Sequence, residues 1–340
     1  MNELIFQTKD DKQLVYIPEK CIGCGTCLLT CTKDSLVIGS AGAVARGLVD
    51  QDFLESVPDT CIVCGMCAKV CPTGALEMRV AGEPVADETY LCGAIKPTTV
   101  SDDCVHCGLC EEVCPADAIT VTRRLANDSS TGIEGETTIE QDCCIHCGWC
   151  EAVCPVGAIT VEKPFAGEWK MEEDLCQTCL ACVDICPCDA LFARDWGPGE
   201  RVEKITQRPN VCIYCGACAV ACPTDAITVT KSAILPEMAK KKPFEKKLLN
   251  VPTPKPVRRS VLATDDYACL GCGNCVIVCP VNAASDPYLA AGHLNELDGK
   301  PLLEIVDGTV TVYDQDLCRG CGACAMICPV DAIWLTKKEA

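Results

Sequence analysis

One spacing constrains this chain more than any other feature: Cys-x2-Cys-x2-Cys-x3-Cys occurs eight times in 340 residues. The quartets are Cys21, Cys24, Cys27, Cys31; Cys61, Cys64, Cys67, Cys71; Cys104, Cys107, Cys110, Cys114; and Cys144, Cys147, Cys150, Cys154. They continue as Cys176, Cys179, Cys182, Cys186; Cys212, Cys215, Cys218, Cys222; Cys269, Cys272, Cys275, Cys279; and Cys318, Cys321, Cys324, Cys328. Only Cys92, Cys143 and Cys188 of the 35 cysteines fall outside them. Three thiolates spaced three apart wrap a tight loop around three corners of a cubic iron–sulfur cluster. The fourth follows after one helical step, and in two-cluster ferredoxins it ligates the other cluster. Proline follows the fourth cysteine in seven quartets; the first has Thr32. Proline loses no needed donor at the first turn of a helix and turns the chain away from the cube. Glycine follows the second cysteine in seven quartets, where it permits a positive φ; the fifth has Leu180.

Two other readings of so many cysteines fit less well. A disulfide scaffold belongs to secreted proteins, and the first residues, Met1 to Thr8, lack a basic start and a long apolar run. A cytoplasmic protein is expected. Zinc sites pair two Cys-x2-Cys halves across a longer spacer, unlike this 2-2-3 spacing. The expected cofactors are therefore eight 4Fe–4S clusters, with all 32 quartet cysteines as iron ligands. No run of apolar residues is long enough to span a membrane. The formal charge is −19 before any cluster is added, which disfavours nucleic acid and anionic lipid as partners.

The expected fold class is α+β: four tandem bacterial-type two-cluster, ferredoxin-like modules with little conventional core, since aromatics make up only 4% of the chain. A short apolar strand follows most quartets, as in Ala118-Ile119-Thr120-Val121. One such unit is too small to bury a core, but two related by a pseudo-twofold can share one. Sequential pairing is the simplest arrangement, with a nested one left open by the short interval between the fourth and fifth quartets. The expected units are 1–90, 91–170, 171–230 and 261–340. Residues 231–260 carry seven lysines, two arginines and five prolines, and read as an extended basic linker. On sequential pairing, Cys71 completes the set of Cys21, Cys24 and Cys27, and Cys31 that of Cys61, Cys64 and Cys67. Likewise Cys328 joins Cys269, Cys272 and Cys275.

Other residues suggest less. His106 and His146 precede the second cysteine of their quartets and are expected to pack or tune rather than ligate. Cys143 and Cys188 read as free thiols or small apolar residues, with substitute ligation the alternative. Trp149 and Trp196 read as packing. With His293 the one histidine outside the quartets, general acid–base catalysis has few candidates, so no catalytic residues are expected.

Strings between the quartets carry a family resemblance. They are Gly42-Ala43-Val44-Ala45-Arg46-Gly47-Leu48, Cys147-Gly148-Trp149-Cys150, Lys163-Pro164-Phe165, Cys176-Gln177, Cys186-Pro187-Cys188 and Cys212-Ile213-Tyr214-Cys215-Gly216-Ala217-Cys218. Across residues 15–230 the chain resembles the methanogen polyferredoxins, and more narrowly the F-type subunits of formylmethanofuran dehydrogenases. The resemblance implies a subunit that delivers low-potential electrons to a tungsten or molybdenum enzyme reducing CO2. Its partners would be the other subunits of that complex, with a ferredoxin, a hydrogenase or heterodisulfide reductase as donor. The alternatives are a wire serving a hydrogenase or heterodisulfide reductase, or a free electron store.

Overall fold

Each cysteine loop runs into a helix of four or five residues, such as Thr26–Thr30, Met66–Lys69 and Ala323–Ile327. Helices this short are not stable alone, so tertiary contacts must hold them. The computed structural model describes residues 3–8, 11–57, 60–85, 90–125, 133–194, 203–236, 245–254, 260–286 and 301–337. The helices end at or just before the fourth cysteine. Only after Cys279 does proline start another one, Pro280–Ser285. After the other seven, the chain makes a turn through a left-handed residue, such as Asp34, Gly74 or Asp331, rather than the helix the proline suggested.

The strand partners follow sequential order. Lys12–Tyr16, before the first quartet, pairs antiparallel with Leu76–Val80, after the second, with Tyr16 opposite Leu76. Thr99–Val100 pairs with Ile159–Thr160, Phe165–Met171 with Ile227–Ile234, and Ser260–Thr264 with Ile333–Lys337. Inside the first three pairs, the strand after one quartet pairs with the strand before the next: Leu36–Ile38 with Leu54–Ser56, Ile119–Leu125 with Ile133–Ile139, Leu191–Phe192 with Thr206–Gln207. In the fourth, helix Pro280–Ser285 displaces the first inner strand, and a hairpin of Leu303–Val306 with Thr309–Val312 takes its place. Asn282 from that helix is fully buried and clasps the hairpin: its Oδ1 accepts from the Leu302 amide at 2.8 Å and its Nδ2 donates to the Leu303 carbonyl at 2.7 Å.

Three sequence expectations need correction. The boundaries at 170 and 230 both cut through the strand pair Phe165–Met171 with Ile227–Ile234. The segment read as a spacer is partly docked. Lys231 lies in the strand to Ile234, and Leu249 and Pro252 bridge to Lys231 and Thr230. Leu248, fully buried, packs with Val70, Leu91, Phe165 and Ile234. The apolar pair Leu248-Leu249 gives this basic stretch an anchor, and burying one such leucine stabilises by about 2 kcal/mol. Proline lacks a donor only at its own position; Asn250 and Thr253 still donate to the Lys231 and Val229 carbonyls. Lys240, Lys241 and Lys242 lie outside the described residues. Finally, the apolar interior is not negligible. One cluster runs continuously from Leu14, Tyr16 and Ile38 through Cys147 and Cys188 to Val211 and Val220, fusing the first three strand-paired units.

The last unit rests on the other units rather than swinging free. The Ala43 amide donates to the Gly320 carbonyl at 2.9 Å. Arg46, with its side chain 5% exposed, pairs with Asp184 at 2.6 Å and donates to the carbonyls of Cys321 and Cys179 at 2.7 and 2.5 Å. No helix among the described residues is long and apolar enough to cross a membrane.

Candidate cluster sites

In every quartet, the residue before the second cysteine and the residue after it are both left-handed, at φ of 48–64° and 62–99°. This double reversal turns backbone N–H groups toward sulfur. The amides of Val63, His106, Tyr214, Gly271 and Gly320 donate to the first thiol of their loops at 3.3–3.5 Å. Seven of the fourth cysteines accept an amide four residues on, at 3.2–3.3 Å, from Ser35 to Cys31 through Ala332 to Cys328. Such bonds stabilise a thiolate and any negative charge behind it. Leu180 adopts φ 62° without glycine's freedom, so the loop geometry overrides a local cost of roughly 1–2 kcal/mol.

Four cavities are each lined by cysteines of two quartets. The first is lined by Cys61, Cys64 and Cys67 with Cys31. A second has Cys144, Cys147 and Cys150 with Cys114. Two more have Cys318, Cys321 and Cys324 with Cys279, and Cys269, Cys272 and Cys275 with Cys328. Elsewhere the thiols fall into the same pattern. Cys71 stands beside Cys21, Cys24 and Cys27. Cys222 stands beside Cys176 and Cys182, and Cys186 beside Cys212, Cys215 and Cys218. Cys114 and Cys154 both pack in one apolar cluster with Cys110 and Cys150. The thiols ring a space instead of converging on a point: among the described residues no three His, Cys, Asp or Glu side chains form a single-ion site. Burial pushes Cys21, Cys67 and Cys150 up to about 12 and Cys147 to about 11. A buried thiol without a counter-ion keeps its proton; iron would take the proton's place, which fits this donor set to a metal cluster.

The remaining candidates separate cleanly. The His106 ring nitrogen Nδ1 lies 3.0 Å from the Thr137 hydroxyl and 3.7 Å from Cys104 Sγ, beside the cradle. His146 lines the second cavity, with burial pushing its pKa down. Trp149 donates from Nε1 to the Cys188 carbonyl at 2.7 Å, a packing role. Cys143 is exposed, and Cys92 lies near Cys71. Cys188 is 1% exposed and sits among Cys215, Cys186, Cys147 and Cys212, between cradles of two units. Trp196 and His293 lie outside the described residues.

Cradles of different strand-paired units meet at three junctions. Cys24 of the first faces Cys215 of the third. Cys147 of the second reaches the third through Cys188. Cys179 of the third and Cys321 of the fourth are within hydrogen-bonding contact, which with burial pushes the Cys179 thiol up strongly. Sequence reasoning missed the basic residues at these junctions, Lys231, Lys163 and Arg46. Two lie within the resemblance strings, and Lys231 falls in the stretch that reads as a linker.

The 4Fe–4S dicluster domain family matches at residues 60–118, 143–190 and 211–283, over half the chain. The chain belongs to the 4Fe–4S dicluster domain family. 4Fe–4S binding domain models also match residues 311–334 and 18–34. The three dicluster matches join the second quartet to the third, the fourth to the fifth and the sixth to the seventh, out of phase with the strand pairs. Any two consecutive quartets present similar cysteine spacing; hydrogen-bonded strand partners are the better guide to which quartets share a unit. The G-type subunit of the tungsten-containing formylmethanofuran dehydrogenase 2 of Methanopyrus kandleri is 49% identical over 44 residues, 13% of this chain and 56% of that protein. The chain thus spans about half the length of this curated relative. A chain in the formate dehydrogenase–heterodisulfide reductase–formylmethanofuran dehydrogenase complex of Methanospirillum hungatei superposes with a TM-score of 0.59 at 30% identity. That match covers 72% of this chain and 87% of the other. The chain is an electron-transfer iron–sulfur protein related to subunits of such complexes.

Proposed function

We propose that the chain holds eight 4Fe–4S clusters in four two-cluster modules and serves as the electron wire of a formylmethanofuran dehydrogenase-type complex. The modules would comprise the strand-paired stretches 12–80, 99–160, 165–234 and 260–337. Each cluster takes three cysteines of one quartet and the fourth of its partner, as the four cavities and the neighbouring thiols support. The observation that carries the wire reading is the set of three junctions. Units that merely stored electrons would have no need to bring thiol cradles of separate modules near one another, whereas a conductor does. The clusters supply one-electron chemistry; the chain's residues position them, exclude water and set their charge environment.

The partner assignment is supported by the two relatives, both from formylmethanofuran dehydrogenase assemblies. Heterodisulfide reductase in the second keeps delivery to that enzyme as the alternative. The test is anaerobic affinity purification of the chain from its native cell. Co-purification with a pterin-bearing CO2-reducing subunit, and electron delivery to it from the dithionite-reduced chain, is the expected result. A chain recovered alone, exchanging electrons with soluble donors only, would contradict it. The isolated reduced chain should not turn over CO2.

A further inference from the structure

Two buried anionic clusters brought close repel each other, and each added electron sharpens the repulsion. The junctions answer this with cations, of unequal kind. Arg46, between the third and fourth units, is neutralised by Asp184 at 2.6 Å. Lys163, between the second and third, is half-buried and donates to the carbonyls of Asn210 and Cys212 at 2.5 and 3.2 Å, with Glu151 in its field. Lys231, between the first and third, is 2% exposed, and among the described residues it has no carboxylate partner. Its Nζ donates to the Cys215 carbonyl at 3.0 Å and stands 5.1 Å from the Phe165 ring. The groups facing that ammonium are Cys24 of the first unit and Cys215 and Cys218 of the third. An unpaired buried lysine is costly and is retained only where other negative charge answers it.

We propose that Lys231 is a poising residue: its fixed charge raises the reduction potentials of the two clusters it separates, making this junction a favourable resting place for electrons crossing between the first and third units. Resting on the cluster reading above, this assigns a role to a residue within a stretch that reads as a spacer. The countercharge comes from the clusters of both units, so Lys231 acts on the pair rather than on either alone. By contrast, Arg46, already paired, mainly fastens units together.

The test is an EPR-monitored redox titration of the full, anaerobically loaded chain. Lys231→Met removes the charge and the hydrogen bond; Lys231→Gln removes the charge while keeping a donor; Lys231→Arg restores the charge. Lys170→Met, on a paired strand of the same sheet and 67% exposed, is the surface control. Both neutral variants should lower two clusters' potentials by about a tenfold change in their one-electron equilibrium, or about 59 mV, with Lys231→Arg near the parent and the control unmoved. Full iron loading with no shift overturns the proposal and leaves the cluster reading standing. An equal shift in Lys170→Met, or failure of both neutral variants to load, also overturns it, by showing a general charge effect or a folding role. A parent chain without iron–sulfur signals would instead overturn the cluster reading.

Discussion

Replacing Arg46 by methionine should undock the last unit without unfolding it. The guanidinium makes one charged contact and two bonds to carbonyls of cluster-loop cysteines, Cys321 and Cys179, with its side chain 5% exposed. Hydrogen bonds from a charged group to buried acceptors are worth about 1.5–3 kcal/mol each. Only the Cys321 bond crosses to the last unit; the Asp184 and Cys179 contacts join the first unit to the third and persist when the last unit leaves. Methionine keeps much of the apolar stem's packing, so the net loss at the last unit is about 2 kcal/mol, roughly thirtyfold in the docking equilibrium. The reporter is already in place, since the Ala43 amide donates across the same junction to Gly320. Hydrogen exchange at Ala43 should quicken by roughly thirtyfold. The Tyr313 amide, bonded to Leu302 within the last unit, should not change. Arg46→Lys should fall between, keeping charge but not the planar fork. Unchanged protection at Ala43 would refute the docking role; equal acceleration at Tyr313 would show that the unit itself had melted.

Three further outcomes follow from the same geometry. Cys31→Ser should perturb the EPR signature of the cluster on Cys61, Cys64 and Cys67, and Cys71→Ser that of the cluster on Cys21, Cys24 and Cys27; the reverse assignment would mean that quartets close on themselves. A chain ending at Pro254 should keep about 24 iron, and residues 260–337 alone about eight, because strand and thiol partners lie within each piece; loss of iron from the first 234 residues would show ligation across the cut. Leu180→Gly should relieve a left-handed strain of about 1 kcal/mol with little burial lost, since Leu180 is 38% exposed, and should raise the guanidinium midpoint for loss of cluster absorbance.

How much of this was legible in the sequence depends on the range of the physics involved. Cysteine spacing is local chemistry, so it announced the loops and their left-handed turns; even Leu180 obeys the shape that its seven glycine counterparts suggest. Sequential strand pairing was readable as the simplest option because neighbouring strands meet most cheaply. Tertiary placement was not. Nothing in Lys163 or Lys231 as letters says which thiols they will face, and proline and lysine content pointed to a spacer where Leu248 and Asn250 dock the chain. The helix after Cys279 shows the limit from the other side: Pro280 follows the same rule as six other prolines, yet only there does a helix continue, with Asn282 buried beneath the hairpin it clasps.

Native mass spectrometry of the full chain purified without oxygen, alongside iron, labile sulfide and zinc analysis, counts the clusters directly. Eight crossed cysteine sets predict a mass raised by eight cubes, with about 32 iron and about 32 labile sulfide per chain and negligible zinc. A zinc-dominated chain lacking labile sulfide, or one that saturates at about half that iron, would contradict it.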